Sequence, residues 1–188
     1  MAEERNNEEL QKLTYASKNI WAEIDEKRRE EVFEYARGYA DFLDRCRTER
    51  LTVRWILQAI KEQGLEELAG RDRVKPGDRL FAVNREKNVV LITVGKKGMD
   101  QGISFLVAHA DAPRLDLKQV PLYEDTELAL LKTHYYGGIK KYHWLNVPLA
   151  LVGVVMTEEK KVEISLGLRP DEPVFVIPDL LPHLSKKV

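Results

Sequence analysis

A short apolar run that ends in a histidine and an aspartate constrains this chain more than any other feature. Residues 103–108 are apolar and rich in β-formers, which is typical of a strand buried on both faces, and Pro113 would stop its pairing. His109 and Asp111 follow two residues apart, so in extended backbone they point to the same side, with Cα atoms about 6.5–7 Å apart. The pattern predicts a strand that presents an imidazole and a carboxylate together at its end, where open α/β sheets often carry their chemistry.

Two ordinary interpretations compete with a metal site at this position. A single histidine beside an apolar strand is often a structural residue whose ring is simply hydrogen-bonded. The segment from Asp111 to Pro113 is also a common way to open a turn, with the carboxylate accepting from backbone amides. The spacing by itself does not decide between a metal site and these two ordinary interpretations.

The composition is that of a folded protein without a strong overall charge. The chain has 188 residues, of which 44% are hydrophobic and 32% charged, and this is enough for one complete domain with a core. Thirty Lys and Arg residues against 31 Asp and Glu residues give a formal net charge of −1. No general electrostatic attraction to nucleic acid or to an anionic membrane is therefore expected.

The cellular setting is predicted from what the sequence lacks. Residues 1–7 are charged and contain no apolar segment, and no run approaches the about 18 apolar residues of a membrane span. Cys46 is the only cysteine, so a disulfide cannot form within the chain, and it reads as a small buried hydrophobic residue. We expect a soluble protein in a reducing, cytoplasmic setting.

Two amphipathic helices are predicted in the first third of the chain. In the first, apolar residues recur at steps of three and four, at Val32, Ala36, Tyr39, Leu43 and Cys46. The second has an apolar face formed by Leu51, Trp55, Ala59 and Ile60. Thr48 is placed to cap its beginning and Gly64 to end it in a left-handed conformation. Each helix is expected to pack against the protein along one face.

The remainder of the chain has β patterns. Residues 80–83 and 89–94 flank a polar turn and predict a hairpin. Further short apolar runs lie at residues 128–131, 149–156, 162–168 and 174–177. Because helices, a hairpin and a buried strand precede a β-rich segment, we predict an α/β domain at 1–118 and a β-rich unit at 119–188. Residues 1–118 contain too few strand–helix–strand crossovers for a complete doubly wound sheet.

Several separate blocks, in the right order, make the chain resemble a known family. The chain resembles the aspartyl aminopeptidases, zinc-dependent exopeptidases of metallopeptidase family eighteen. The resemblance rests on the segment from His109 to Lys118, on Tyr136-Gly137-Gly138-Ile139, on Trp144 followed by Pro148 to Gly153, and on Val176 to Leu184. It covers most of the chain. One departure is Ala112, where the family often has serine.

The resemblance implies a fold and roles for three residues. It implies part of a catalytic α/β domain that carries two zinc ions, followed by part of an inserted β-rich dimerisation domain through which the protein forms homo-oligomers. His109 would be a zinc ligand, and Asp111 the catalytic-site aspartate that orients it. His183 would contact the peptide substrate in the active site of a neighbouring subunit. A zinc-dependent aminopeptidase that releases N-terminal, possibly acidic, residues is the implied function.

The same resemblance places the remaining catalytic groups downstream of position 188. Zinc ions about 3.5–4 Å apart need roughly four ligands each, and one histidine with one orienting carboxylate does not supply them. The pair Glu158-Glu159 falls in a predicted solvated turn, while His134 and His143 flank a Tyr/Gly segment and read as surface or packing residues.

Three functional hypotheses follow. The first is an amino-terminal portion of a zinc aminopeptidase that is inactive alone. The second is a non-catalytic assembly or regulatory piece that binds a full-length homologue and supplies His183 in trans. The third is a general β binding module, which would require the blocks to match by chance. We also predict that the isolated chain is marginally stable and association-prone, because unpaired strand edges and half-covered apolar faces would be exposed.

Overall fold

The computed structural model describes residues 13–15 and 17–184, and the charged residues 1–7 lie outside that range. The chain divides into two units, residues 1–44 and residues 45–188. Both helices and strands are present, so the predicted α/β class is confirmed. No helix among the described residues is long and apolar enough to cross a membrane.

The first unit is helical. Its described helices are α1 (Ile20–Glu23) and α2 (Glu26–Arg45), the second of which ends at the unit boundary. Asn19 caps α1, since its side chain accepts a hydrogen bond from the amide of Trp21 at 3.1 Å. The predicted first helix is therefore confirmed as α2, but none of its residues is buried. The packing of its apolar stripe stays a prediction.

The second unit is built around a helix and a hairpin. Helix α3 (Glu49–Lys61) begins at Thr48, whose hydroxyl accepts from the amide of Leu51 at 3.3 Å, as the sequence predicts. After the helix, Gly64 has a φ of +69°, the left-handed conformation expected of it. Cys46 is buried, as predicted, although it lies just beyond the end of α2 rather than on it.

A small sheet packs beside α3. Its strand order is β1 (Glu66–Glu67), β2 (Arg79–Asn84) and β3 (Asn88–Thr93), with β1 parallel to β2 and β2 antiparallel to β3. The predicted hairpin is thus confirmed. Helix α3 contacts β3. The most deeply buried side chains of the described chain, Val53 on α3 and Leu80 on β2, are each 1% exposed, so the core of this unit lies between the helix and the hairpin.

Two further hairpins follow. The long ribbon of β4 (Arg114–Asp125) and β5 (Leu128–Tyr136) is antiparallel, and so is the pair of β6 (Leu151–Met156) and β7 (Lys161–Leu166). The predicted run at 174–177 forms only isolated bridges, Leu149 with Phe175 and Leu145 with Ile177. The proposed boundary after residue 118 falls inside β4, where its pairing with β5 shifts register between Leu117 and Leu122. The division into domains at this point stays a prediction.

Ion pairs connect α3 to the β hairpins. The guanidinium of Arg54 binds both carboxylate oxygens of Glu163 on β7, at 2.5 and 3.2 Å. Glu86, in the turn between β2 and β3, accepts from Arg50 at 2.9 Å and from Lys161 at 2.7 Å. These contacts hold the turn and β7 beside the helix.

The strand predicted at residues 103–108 is absent. This segment has no regular secondary structure, and Phe105, Leu106 and Val107 are exposed rather than buried on both faces. A strand forms only when a neighbour supplies its hydrogen bonds, and no strand of the described residues pairs with this segment. The expectation of a buried strand ending at His109 is therefore wrong.

The core between α3 and β2 gives a test of stability. Replacing Leu80 with alanine should lower the free energy of unfolding by about 2–5 kcal/mol, because a fully buried side chain is removed and a cavity is left. Leu91 on β3, which pairs with Phe81 of β2, is 50% exposed. Leu91→Ala should cost about 1 kcal/mol or less. Urea unfolding followed by circular dichroism measures both, and equal losses would contradict this location of the core.

Candidate active site

The site is centred on a loop that runs from residue 102 to residue 113 and ends where β4 begins. The ring atom Nδ1 of His109 lies 2.9 Å from the backbone oxygen of Asp111 and 3.1 Å from its Oδ1. The structure therefore brings together the two residues that the sequence pairs. Their contact is made within an irregular loop rather than at the end of a strand.

This contact fixes the protonation of the neutral imidazole. A carbonyl oxygen and a carboxylate oxygen only accept hydrogen bonds, so Nδ1 of His109 must carry the proton and donate it. The lone pair is then on Nε2, the atom through which histidines commonly bind metals. The His109 side chain is 83% exposed. The ring is thus accessible, with the Nε2 lone pair not used by either contact with Asp111.

Asp111 is held from its other side by a tyrosine. The hydroxyl of Tyr136, the last residue of β5, donates to Oδ2 of Asp111 at 2.7 Å. The Tyr136 hydroxyl, a backbone amide and His109 together hold the pKa of this carboxyl below its usual value. The same hydrogen bond to Asp111, with the negative charge of that carboxylate, raises the pKa of Tyr136. Asp111 is therefore a carboxylate with both oxygens engaged.

Tyr136 is in turn covered by Arg114. The two residues are direct partners in the β4–β5 ladder, and the guanidinium carbon of Arg114 lies 4.1 Å from the centre of the Tyr136 ring. Arg114 also donates to Asp116 at 2.7 Å and lies 3.9 Å from a carboxylate oxygen of Glu49 on α3. Arg114 therefore contacts Glu49 on helix α3 and Asp116 on its own strand β4.

Three residues of this arrangement were missed by sequence reasoning, namely Tyr136, Arg114 and Glu49. Tyr136 belongs to a block that carries the family resemblance, but nothing in the sequence placed its hydroxyl on Asp111. The register of β4 with β5 is the information that was lacking. The signal available in the sequence is an aromatic residue followed directly by a glycine, and the structure places Tyr136 at the end of β5 and gives Gly137 a φ of +72°.

The structure does not complete a metal centre around His109. Within residues 13–15 and 17–184, no group of three or more His, Cys, Asp or Glu side chains could hold a metal ion. One neutral, accessible imidazole fits one coordination position of zinc, and further ligands would be needed. Glu158 and Glu159 lie in an exposed turn, as predicted, and His134 and His143 are exposed.

His183 lies in a turn near the end of the described chain and is exposed. Its predicted contact with a peptide substrate would be made in a neighbouring subunit. The role of this residue, like the roles of His109 and Asp111, stays a prediction.

Comparison with known proteins gives consistent matches. The family model of aminopeptidase I zinc metalloproteases (M18) matches residues 42–188. A probable M18 family aminopeptidase 1 from Borrelia garinii is 42% identical over 171 residues, which make up 90% of this chain and 37% of that protein.

Solved protein structures also resemble this chain in fold. Aminopeptidase I from Borrelia burgdorferi has 39% identity and a TM-score of 0.81, over 88% of this chain and 41% of that one. The mApe1 dodecamer of Saccharomyces cerevisiae has 18% identity and a TM-score of 0.64, over 78% of this chain and 36% of that one, which shows the fold alone. The chain spans well under half the length of these relatives.

The helix side of the site gives a pH-dependent prediction. Burial raises the pKa of Glu49, but its backbone hydrogen bond, Lys87 at 3.3 Å and Arg114 outweigh burial, so the pKa is lowered. Such a carboxylate stabilises the fold above its unfolded pKa and loses that effect as the pH falls through its folded pKa. Glu49→Gln should therefore lower the urea midpoint at neutral pH and weaken its further fall below about pH 4.3.

The exposed turn residue Glu159 is a matched control, since Glu159→Gln makes the same change of charge. This variant should keep both the neutral midpoint and the wild-type response to acid. If Glu49→Gln also kept the wild-type profile, Glu49 would not support this part of the site.

Proposed function

Because the chain belongs to the M18 family of zinc metalloproteases, we propose that it forms the part of a zinc-dependent aminopeptidase that presents the zinc ligand His109. The observation that carries this proposal is the engagement of Nδ1 by Asp111, which leaves Nε2 with a lone pair on an exposed ring. A carboxylate in contact with the far nitrogen of a metal-binding histidine orients the ring and makes it more basic.

The chain's own residues would act by binding and orienting. His109 would donate its Nε2 lone pair, and Asp111 would keep the proton at Nδ1. Zinc, when bound, would supply polarisation of the scissile carbonyl and an activated water molecule. The proposed substrates are peptides from which an N-terminal amino acid, possibly an acidic one, is released. His183 is proposed to contact the substrate bound to a neighbouring subunit.

The proposed ligand role is tested by titrating the untagged chain with Zn²⁺ while the histidine ring resonances are observed by NMR. His109 should respond at the lowest zinc concentration, because its Nε2 is available beside the negative charge of Asp111. His109→Ala should remove this response. His134→Ala is the control and should leave it intact. A response of equal strength at His134 and His143 would count against a dedicated ligand.

We also propose that this chain has no peptidase activity alone. Its described residues hold no cluster able to bind a metal ion with three side chains, whereas a dizinc centre needs roughly four ligands for each ion. The purified chain should therefore show no turnover of aspartyl or leucyl substrates with zinc or cobalt. The aminopeptidase I of Borrelia burgdorferi, assayed in parallel, controls for the conditions. Robust zinc-dependent turnover by the 188-residue chain would refute the proposal.

A second candidate function is assembly. The β-rich segment that would carry dimerisation forms two paired hairpins, and apolar residues on the long ribbon are exposed, among them Val120 and Leu122. The solved structure of yeast mApe1 is a dodecamer. We propose that this segment joins copies of the chain into a homo-oligomer in the cytoplasm, or joins the chain to a full-length homologue.

Co-expression with a complete homologue, followed by size-exclusion chromatography, tests this second candidate. Co-elution of the two chains is the expected result. Replacing both Val120 and Leu122 with lysine should abolish it, since charges would enter an apolar contact. Exposed Val74, outside the ribbon, is the control position, and Val74→Lys should leave co-elution unchanged. Separate elution of the unmodified chains would exclude assembly with the homologue, and elution of the chain alone at the volume of a monomer would exclude its self-association.

A further inference from the structure

Regular secondary structure does not fix the side chains of the loop that carries His109. Residues 102–113 have no helix or strand, and the side chain of Asp111 is 36% exposed. A partly exposed carboxylate on irregular backbone can change its rotamer unless further contacts restrain it. The contact with His109 engages Oδ1 only, so a contact from another element at Oδ2 would restrain the carboxylate further.

That other oxygen is bound by a residue from a different element. Tyr136 donates to Oδ2 of Asp111 at 2.7 Å, while Oδ1 lies 3.1 Å from Nδ1 of His109. We propose that Tyr136 is a positioning residue for the proposed metal-binding histidine, acting through Asp111. This inference rests on the proposed function for its biological meaning, but the chain Tyr136–Asp111–His109 is a property of the protein without metal.

Tyr136 suits this role because its own ring is fixed. It pairs with Arg114 across the β4–β5 ladder, and the Arg114 guanidinium covers the ring at 4.1 Å. Arg114 is anchored by Asp116 on its own strand and approaches Glu49 on α3. The hydroxyl of Tyr136 therefore projects from a surface held by strand pairing, a stacked cation and an ion pair.

The contact also joins two regions that the sequence assigned to different domains. His109 and Asp111 lie before residue 118, and Tyr136 ends a strand in the β-rich segment. Gly137 follows with a φ of +72°, and a Cβ built on it would lie 3.7 Å from Pro113, so the chain passes close to the His109 loop. Displacement of the ribbon would move the hydroxyl and release the carboxylate. The orientation of the histidine thus depends on the β-rich segment.

The test uses the metal-free chain and the variant Tyr136→Phe, which keeps the ring under Arg114 and removes only the hydroxyl. Long-range ¹H–¹⁵N NMR spectra, recorded above the histidine titration, report the tautomer of His109, and three-bond couplings report the χ1 rotamer of Asp111. The wild type should show the Nδ1–H tautomer and one Asp111 rotamer. In the variant, the Nε2–H share should rise by about twofold or more, and the Asp111 couplings should become averaged. The change is partial because the backbone oxygen of Asp111 still accepts from Nδ1.

Tyr135→Phe is the matched control, since it removes the hydroxyl of the adjacent tyrosine on the same strand, which pairs with Leu115. It should leave His109 and Asp111 as in the wild type. The amide spectrum of each variant verifies that the ribbon is intact. A second variant, Arg114→Met, keeps apolar cover on the Tyr136 ring but removes the cation, and should produce a smaller change in the same direction.

The outcomes separate this inference from the proposed function. If Tyr136→Phe leaves both readouts at their wild-type values, or if Tyr135→Phe changes them equally, the positioning role is refuted whatever zinc does. If the tautomer and rotamer change as expected while Zn²⁺ fails to perturb His109 in the wild type, the positioning role holds and the zinc function fails.

Discussion

Burial of one face of α3 against the β2–β3 hairpin is the interaction on which the rest of the second unit depends. Val53 and Ile60 on the helix and Leu80 on β2 are its buried apolar residues, and Thr52 is buried beside them. The Thr52 hydroxyl donates to the backbone of Thr48 and lies 3.4 Å from the carbonyl oxygen of Ala110. Ala110 lies between His109 and Asp111. The buried Thr52 therefore connects the core to the backbone of the loop that carries the site.

The site is therefore supported from two directions. The helix contributes Thr52 at the loop backbone and Glu49 near Arg114, while the ribbon contributes Tyr136 at the Asp111 carboxylate. The Thr52 contact is made with the loop backbone, and the Tyr136 contact is made with the Asp111 side chain. This arrangement links the loop that carries His109 to the segment proposed for assembly.

The elements that were predicted correctly are those whose determinants are local. The Thr48 cap, the left-handed Gly64 and the β2–β3 hairpin each depend on residues within a few positions of one another, so the sequence pattern is sufficient. The segment 103–108 was misassigned for the opposite reason. Its apolar residues favour a strand, but a strand is defined by its partners, and pairing partners are distant in sequence.

The sequence by itself determined the pairing of His109 with Asp111, the family blocks and the local elements, because spacing and residue chemistry carry that information directly. Only the tertiary structure decided that Nδ1 of His109 bears the proton, that Tyr136 holds the second oxygen of Asp111, and that Arg114 covers Tyr136. The physical reason is strand register: residues 114 and 136 become neighbours only when β4 and β5 pair at one particular alignment. That alignment depends on contacts along the whole ribbon, which no short motif encodes.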